Sequence, residues 1–511
     1  MQKYIENLKY KNIHIVGAFG AEGSAVLEFM ARNGAKNITA HDFSADIGEL
    51  RKNFSKTHLW LKKTERLEAF EKLFKIPAKI NLKNNYLQGI FKADMIFAPS
   101  SWRLYKSNFP LLCEAEKKRI PFSSLTKLYF DLAKGKIISV TGTKGKGTTA
   151  RLIYEILRFS ASRRITQDKF FPQSKSRRNI YLAGNDRRSA QELEKISKMK
   201  KGDILVLETS NRQLMDDLGR SPDIGIITNI SPDHIDEHES FEKYIEAKKS
   251  LFRHSKKGDI AVLNYDNAIT KKIGEELAEQ GLNVFFFSRK SKLKKGAFVE
   301  NGKIYALGNQ VSKLEICDLA DIKIIGEHNI ENVLAAALAA HLAGATPEEI
   351  KSAVSKFSGL PRRLEFIGEY NGVKFYDDTA STNPESTIAA IKTLFNTKYQ
   401  IPNTKYFLIV GGDDKGMDYS ELARIILKKV DTLILLPGTG SENVKCQMSN
   451  VKQINSIIKE RDNFSEALNL IKAQTKTGDT VLISPACAHF QARYIGILKK
   501  PLRNLIVEKF K

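Results

Sequence analysis

Ile137-Ile138-Ser139-Val140-Thr141-Gly142-Thr143-Lys144-Gly145-Lys146-Gly147-Thr148-Thr149-Ala150 runs from a β-rich apolar segment into glycines, lysines and threonines. The helical pattern Arg151-Leu152-Ile153-Tyr154-Glu155-Ile156-Leu157 follows without a break. Strand, loop and helix in that order predict an α/β sheet with a phosphate-cradling loop. Glycines let successive backbone N–H groups turn toward one anion, Lys146 adds a point charge, and the helix aims its positive end at the same place. Gly147 stands directly after the lysine, where a nucleotide-binding loop usually carries the Ser or Thr that reaches magnesium. Thr148 or Thr149 then takes that task; the bland alternative is a glycine-rich turn that binds nothing.

A chain of 511 residues has room for about three or four domains, and a hydrophobic content of 42% supplies each with a core and excludes a disordered chain. Lys and Arg number 82 against 58 Asp and Glu, a formal charge of +24. Such a balance suits nucleic acid, a membrane surface or anionic substrates. The lysines are spread along the chain and mixed with glutamates in helical patterns such as Lys62 to Lys75, so most read as solvated faces and no nucleic-acid surface is expected. Cys113, Cys317, Cys446 and Cys487 lie far apart with no C-x-x-C spacing, which points to a reducing compartment and away from a compact zinc site. The start, Met1-Gln2-Lys3-Tyr4-Ile5-Glu6, carries charges where a signal peptide needs an apolar core, and no 18 apolar residues run together. A cytoplasmic monomer with no membrane partner is expected.

At the N-terminal end, Ile13-His14-Ile15-Val16 reads as a strand, Gly17-Ala18-Phe19-Gly20-Ala21-Glu22-Gly23 as a turn, and Ser24 to Asn33 as a helix. A second strand, Asn37-Ile38-Thr39-Ala40, ends at His41-Asp42. This is a Rossmann-type opening with an acid after the second strand, in a G-x-x-G-x-x-G spacing. Gly17 and Gly20 either face a diphosphate or permit close helix–strand packing. Met95-Ile96-Phe97-Ala98 and Pro121-Phe122-Ser123 continue the alternation, so residues 1–135 form one α/β domain.

Past the phosphate loop, the basic and irregular stretch from Arg158 to Arg178 reads as a surface loop, either solvated or helping to hold an anion. Strands resume at Asp203-Ile204-Leu205-Val206-Leu207, ending in Glu208-Thr209-Ser210, and at Ile224-Gly225-Ile226-Ile227-Thr228-Asn229, ending in Ser231-Pro232-Asp233-His234. Ligands of open parallel sheets bind at the carboxyl ends of strands. Glu208 and His234 are therefore candidate magnesium ligands beside the phosphates, a carboxylate being the natural donor to a hard cation and an imidazole an acceptable addition. Ser240 to Phe252 has helical periodicity and carries Lys248 and Lys249.

These residues together resemble a family. Gly142-Thr143-Lys144-Gly145-Lys146-Gly147-Thr148-Thr149, Glu208-Thr209-Ser210-Asn211-Arg212-Gln213-Leu214, Asn229-Ile230-Ser231-Pro232-Asp233-His234-Ile235-Asp236, Glu246-Ala247-Lys248 and Gly326-Glu327-His328-Asn329-Ile330-Glu331-Asn332 are similar to the ordered motifs of the Mur ligases. Those are the ATP-dependent amide-forming enzymes of peptidoglycan precursor synthesis. Leu360-Pro361-Arg362-Arg363-Leu364-Glu365, Asp377-Asp378-Thr379-Ala380-Ser381-Thr382-Asn383-Pro384, Gly411-Gly412-Asp413-Asp414-Lys415-Gly416 and Ser484-Pro485-Ala486-Cys487-Ala488 extend the resemblance over nearly the whole chain, and most nearly to the D-glutamate-adding branch.

The resemblance implies three α/β domains: a Rossmann-like one over 1–135 for the uridine nucleotide, a central ATPase over 136–358, and a Rossmann-like C-terminal one over 359–511 that closes over the site. It implies UDP-N-acetylmuramoyl-L-alanine and D-glutamate as substrates, with ATP and Mg2+. Lys146, Glu208, His234 and Lys248 would be catalytic, with Thr148, Glu208, His234 and Lys248 around the metal and Lys248 carbamylated; Lys249 is the alternative. Gly142 through Thr149, Asn329, Asn332, Arg363 and Asp378 would bind ATP. Gly17, Gly20, Asp42, Thr382, Lys415, Ser484 and His489 would bind the other substrates. The reaction implied is phosphoryl transfer to a carboxylate, then attack of an amine on the acyl phosphate.

Four positions depart from the family pattern: Arg362 stands where histidine is usual, Ala380 where many D-glutamate ligases carry lysine, His489 where serine is expected, and Gly496 where phenylalanine is expected. They bear on the amino-acid pocket, and either Phe490 or Tyr494 filling the gap at Gly496 or a different acceptor follows. Gly147 before Thr148 also resembles the folylpolyglutamate synthases. Outside this class stand a nucleic-acid-acting P-loop ATPase, suggested by the charge, and a catalytically dead nucleotide-holding scaffold.

Overall fold

The structure is a computed structural model, and it describes residues 6–58, 60–162, 178–185, 193–232, 238, 240–307, 313–395, 404–414, 416–448, 457–498 and 500–510. The strands β1 (Asn12–Val16), β2 (Asn37–His41), β3 (Lys79–Asn81), β4 (Met95–Phe97) and β5 (Phe122–Ser123) make a parallel sheet in the order β3-β2-β1-β4-β5. Four of the five residues of β1 are buried, as a strand covered by chain on both faces requires. The order reverses between β1 and β4, so their carboxyl ends flank the crevice where such sheets take ligands. Gly17 turns the chain out of β1 at φ +64°. A Cβ on Gly23, within the helix Ala21–Arg32, would lie 2.1 Å from the Gly17 carbonyl oxygen, so that glycine serves close helix–loop packing.

A second sheet holds β6 (Lys136–Thr141), β7 (Ile180–Gly184), β8 (Ile204–Glu208), β9 (Ile224–Ile227), β10 (Ile260–Asn264), β11 (Asn283–Ser288), β12 (Gly296–Glu300), β13 (Lys303–Leu307) and β14 (Leu314–Asp318). Its order is β14-β13-β12-β11-β10-β9-β6-β8-β7, parallel from β7 to β12 and antiparallel in the last two pairings. Because β6 lies between β8 and β9, Val140 is in register with Glu208 and Thr141 with Ile227. Arg158, where a loop is expected to begin, lies within the helix Lys146–Ser162, anchored by buried Ile156 and Leu157. The rest of that stretch, 163–177, lies outside the described residues.

Residues Met1–Asp321 and Ile330–Ser355 form one compact unit, and Ile322–Asn329 with Lys356–Lys511 form another. Both sheets above belong to the first, where one apolar core runs from Ile13, Phe29 and Tyr129 to Leu205 and Leu263. The second unit carries β15 (Glu365–Tyr370), β16 (Val373–Asp377), β17 (Tyr406–Gly411), β18 (Thr432–Leu435), β19 (Ile458–Glu460) and β20 (Thr480–Ala486) in the order β15-β16-β20-β17-β18-β19, parallel except for the β15–β16 pair. All three sheets are of the α/β class that the alternating pattern predicts. No helix among the described residues is long and apolar enough to cross a membrane.

Three histidines of the first sheet's layer are locked neutral. The Leu87 amide donates to His41 Nδ1 at 3.2 Å, so His41 Nε2–H donates to His14 Nδ1 at 2.8 Å. His58 donates from Nδ1 to the Phe54 carbonyl and accepts at Nε2 from Ser24 Oγ, both at 2.9 Å. Burial pushes His14 and His58 down to about 4 and His41 to about 3. Their folded values lie below the ordinary one, so this stability is complete above about pH 6.5 and drains away as pH falls toward 4. By pH 5 each imidazole should have cost the fold about 2 kcal/mol. The urea midpoint, followed at pH 7.5, 6 and 5, should drop steeply; a flat profile contradicts the neutral assignment.

Candidate active site

The loop after β6 has a shape that only glycines permit. Gly142 has φ +146° and Gly145 φ +84°. A Cβ on the first would stand 2.0 Å from Thr228 Oγ1, and on the second 2.1 Å from Asn332 Oδ1. Neighbouring strand ends hold the loop in place. Thr228 Oγ1 donates to the Lys144 carbonyl at 2.6 Å, and Asn229 Oδ1 accepts from the Lys144 amide at 2.9 Å. The Ser231 amide donates to Thr143 Oγ1 at 3.0 Å, with the Tyr244 hydroxyl 3.1 Å from the same oxygen. Thr149 Oγ1 donates to Asn332 Oδ1 at 3.3 Å. Lys146 lies over the loop, its Nζ donating to the carbonyls of Gly142 and Thr143 at 2.8 and 2.9 Å.

This cradle fits a phosphate on the structure's own terms. The helix Lys146–Ser162 starts at the lysine, which leaves its first N–H groups without partners inside the helix. Gly147 and Thr148 are half-buried there. Thr141, fully buried just before the loop, has a hydroxyl with no hydrogen-bond partner among the described residues.

Two ionisable groups flank the loop. Glu208, half-buried at the carboxyl end of β8, accepts from Asn185 Nδ2 at 3.3 Å. Lys248 is fully buried; its Nζ donates to the Gly142 carbonyl at 3.0 Å and sits 4.4 Å from the centre of the Tyr244 ring. Lys249 instead pairs with Glu276 at 2.6 Å, and that bond raises its pKa. Of the two lysines, Lys248 is the one at the loop. His234 lies outside the described residues; nearby His238 accepts from Asn211 Nδ2 at 2.5 Å. Glu208 and Thr148 are hard oxygen donors of the kind magnesium takes, although no group of three His, Cys, Asp or Glu side chains converges among the described residues.

At the first sheet, Asp42 Oδ1 accepts from the amide and hydroxyl of Ser44 at 3.0 and 2.8 Å, and Gly20 caps the helix Ala21–Arg32. The next residue, Phe43, was not singled out from sequence. It is 55% exposed yet stacks on Tyr86 with ring centres 3.7 Å apart. A large aromatic directly after the strand-end acid was the signal available.

In the second unit the predicted residues divide into buried and exposed. Asp378 is buried, with Oδ1 accepting from the Leu364 amide at 3.0 Å and Oδ2 from the hydroxyls of Ser381 and Ser484 at 2.6 and 2.7 Å. Burial outweighs these donors and pushes its carboxyl up to about 6. Ser484 is wholly buried and also bonds Thr387 Oγ1 at 2.7 Å, so the structure does not bring its hydroxyl to a surface. Arg363 is exposed, between two non-glycine residues in left-handed conformation, Arg362 at φ +63° and Leu364 at φ +48°. Thr382 is exposed, and Asn329 Nδ2 donates to the Ile325 carbonyl at 2.7 Å. His489 Nδ1 lies 2.9 Å from Asp413 Oδ2, and Arg493 pairs with the other oxygen of the same carboxylate. Phe490 and Tyr494 pack against each other in the core. Lys415 lies outside the described residues.

Comparison with known proteins bears on the family. Residues 140–340 match the model of the Mur ligase middle domain, and residues 362–487 that of the Mur ligase glutamate ligase domain. The chain is 32% identical to the UDP-N-acetylmuramoylalanine-D-glutamate ligase of Ruminiclostridium cellulolyticum over 96% of its own length and 95% of that protein's. It is also 32% identical to the enzyme of the same name from Caldanaerobacter subterraneus, over 94% of each. Among solved structures, the UDP-N-acetylmuramate-alanine ligase of Thermotoga maritima superposes with a TM-score of 0.55 at 18% identity, covering 96% of this chain and 99% of that one.

Proposed function

Because the chain belongs to the Mur ligase family and so is an ATP-dependent amide ligase, we propose that it joins D-glutamate to UDP-N-acetylmuramoyl-L-alanine in peptidoglycan precursor synthesis, in the cytoplasm. The observation that carries this reading is the likeness to D-glutamate ligases along nearly the full length of both chains. A carboxylate is a poor electrophile, so ATP first converts it to an acyl phosphate, which the amine attacks with release of phosphate. Lys146 and the loop amides neutralise charge that spreads over the transferring phosphoryl oxygens. Glu208 and Thr148, with His234, would hold magnesium, which when bound adds to that neutralisation. Lys248 is desolvated, as an amine that is to be carbamylated must be, since burial favours its neutral form. Asp42 and the exposed Phe43 take the uracil base.

The acceptor is where a second reading has an observation behind it. His489 is engaged with Asp413, and Phe490 and Tyr494 are committed to the core, so neither aromatic is free to replace the ring missing at Gly496. A different amino-acid acceptor is the rival this favours. Purified protein given UDP-N-acetylmuramoyl-L-alanine, ATP and Mg2+ with D-glutamate, L-glutamate, D-aspartate, L-lysine and meso-diaminopimelate in competition should form the D-glutamate product predominantly. Efficient ligation of a diamino acid with no D-glutamate product would overturn the acceptor and leave the amide ligase intact.

A further inference from the structure

Within the first unit, the 3-10 helix after β4, Ser100–Asn108, is bolted to the segment after Glu208 by a nearly buried ion pair. Asp216 Oδ1 accepts from Arg103 Nε at 2.7 Å and Oδ2 from Ser100 Oγ at 2.5 Å. The arginine and aspartate side chains are 14% and 10% exposed. Arg103 also pairs with Glu116 and lies on the ring of Trp102, 4.6 Å from its centre, so its position is fixed from several sides. These partners more than offset burial and hold its charge more firmly than usual. Ser100 and Arg103 follow Pro99, which lines the crevice opposite Gly17; a Cβ on that glycine would stand 3.5 Å from Pro99 Cγ.

On the other side, the path from Glu208 to Asp216 is pinned at successive points. Thr209 bonds the Ser139 hydroxyl, the Ser210 amide donates to Gln213 Oε1 at 2.8 Å, and the Leu214 carbonyl accepts from Ser250 Oγ at 2.7 Å. Ser250 ends the helix Phe241–Lys249 that carries Lys248. A buried pair of this kind is seldom kept for stability alone, since apolar residues of similar volume often serve as well. What it adds is a defined distance.

We propose that Asp216, held by Ser100 and Arg103, is a positioning joint that sets the nucleotide-sugar crevice at a fixed distance from the phosphate loop. The inference rests on the ligase reading, in which one substrate is anchored at the crevice while its distant carboxylate must meet a phosphoryl group. A misplacement of about 1 Å can cost such a reaction about a hundredfold.

The test is the double variant Arg103→Met with Asp216→Leu, compared with wild type by kcat and by calorimetric affinity for UDP alone and ADP alone. The expected result is a kcat lower by about 10- to 100-fold, with both affinities within about twofold because crevice and loop keep their own residues. Arg103→Lys, which keeps the charge without the fork, should fall between. If the double variant does not fold, Ser100→Ala and Arg103→Lys carry the same comparison. An unchanged kcat, or affinities that fall in step with kcat, overturns the joint. Wild-type protein that forms no amide product overturns the ligase reading and the joint with it.

Discussion

Lys146→Ala should lower ATP-dependent phosphate release by about 10²–10³-fold while the protein remains folded. The side chain is half-buried, and its ammonium group lies over the loop with two backbone carbonyls as partners. It fills no core, so its removal leaves packing intact. Those two hydrogen bonds are exchangeable: phosphate oxygens offer the same ammonium stronger, charged acceptors. A stopped assay for phosphate, beside a thermal unfolding curve, checks both halves of the expectation. Undiminished turnover would remove this loop from the reaction.

Lys248→Ala should be as damaging and, unlike the first, partly reversible. The buried amino group of Lys248 donates to the carbonyl of Gly142, the residue whose conformation begins the loop. If the working form is the carbamate, alanine leaves a hole lined by Tyr244 and the loop, and a short carboxylic acid diffusing into it supplies the missing carboxylate. Activity should fall by about 10²-fold or more and rise again with added acetate or formate. Lys249→Ala, which breaks only a partly exposed pair with Glu276, should stay near wild type. Rescue of Lys249→Ala rather than Lys248→Ala would move the assignment by one residue.

Much of this was legible before any coordinates, because parallel strands buried on both faces are short apolar runs and the turns after them carry chemistry. Glu208 at a strand end and the glycines after Thr141 are local signals of that kind. Lys248 on Gly142 is not: the two are 106 residues apart, and their meeting depends on β6 lying between β8 and β9. Sequence periodicity reports which face of a helix is apolar, and a lysine in such a helix reads as solvated. The same limit hid the His14–His41 pair, where each histidine looks like a polar interruption of its strand until the register pairs His14 with Thr39 and so sets His41, two residues on, diagonally within reach of it. Asp378 was legible as a residue of interest but not as a buried one, since its three donors come from Leu364, Ser381 and Ser484. Backbone angles leave still less trace: nothing in Arg362-Arg363-Leu364 announces two left-handed residues.

Those two residues set a trap for anyone seeking a hardier protein. A side chain held in left-handed backbone costs on the order of 1 kcal/mol, so glycine at 362 would rank high in a screen for melting temperature, whereas glycine at 364 would give up the packing of Leu364 against the core. Glycine at 362 would also widen the range of directions in which Arg363 points, and the Asp378 carboxylate would be gripping a looser amide. On the proposal that Arg363 and Asp378 bind ATP, selection for heat resistance alone should enrich variants whose nucleotide affinity declines as their melting point climbs, the familiar exchange of activity for stability. A screen that scores both traits would keep the strained pair.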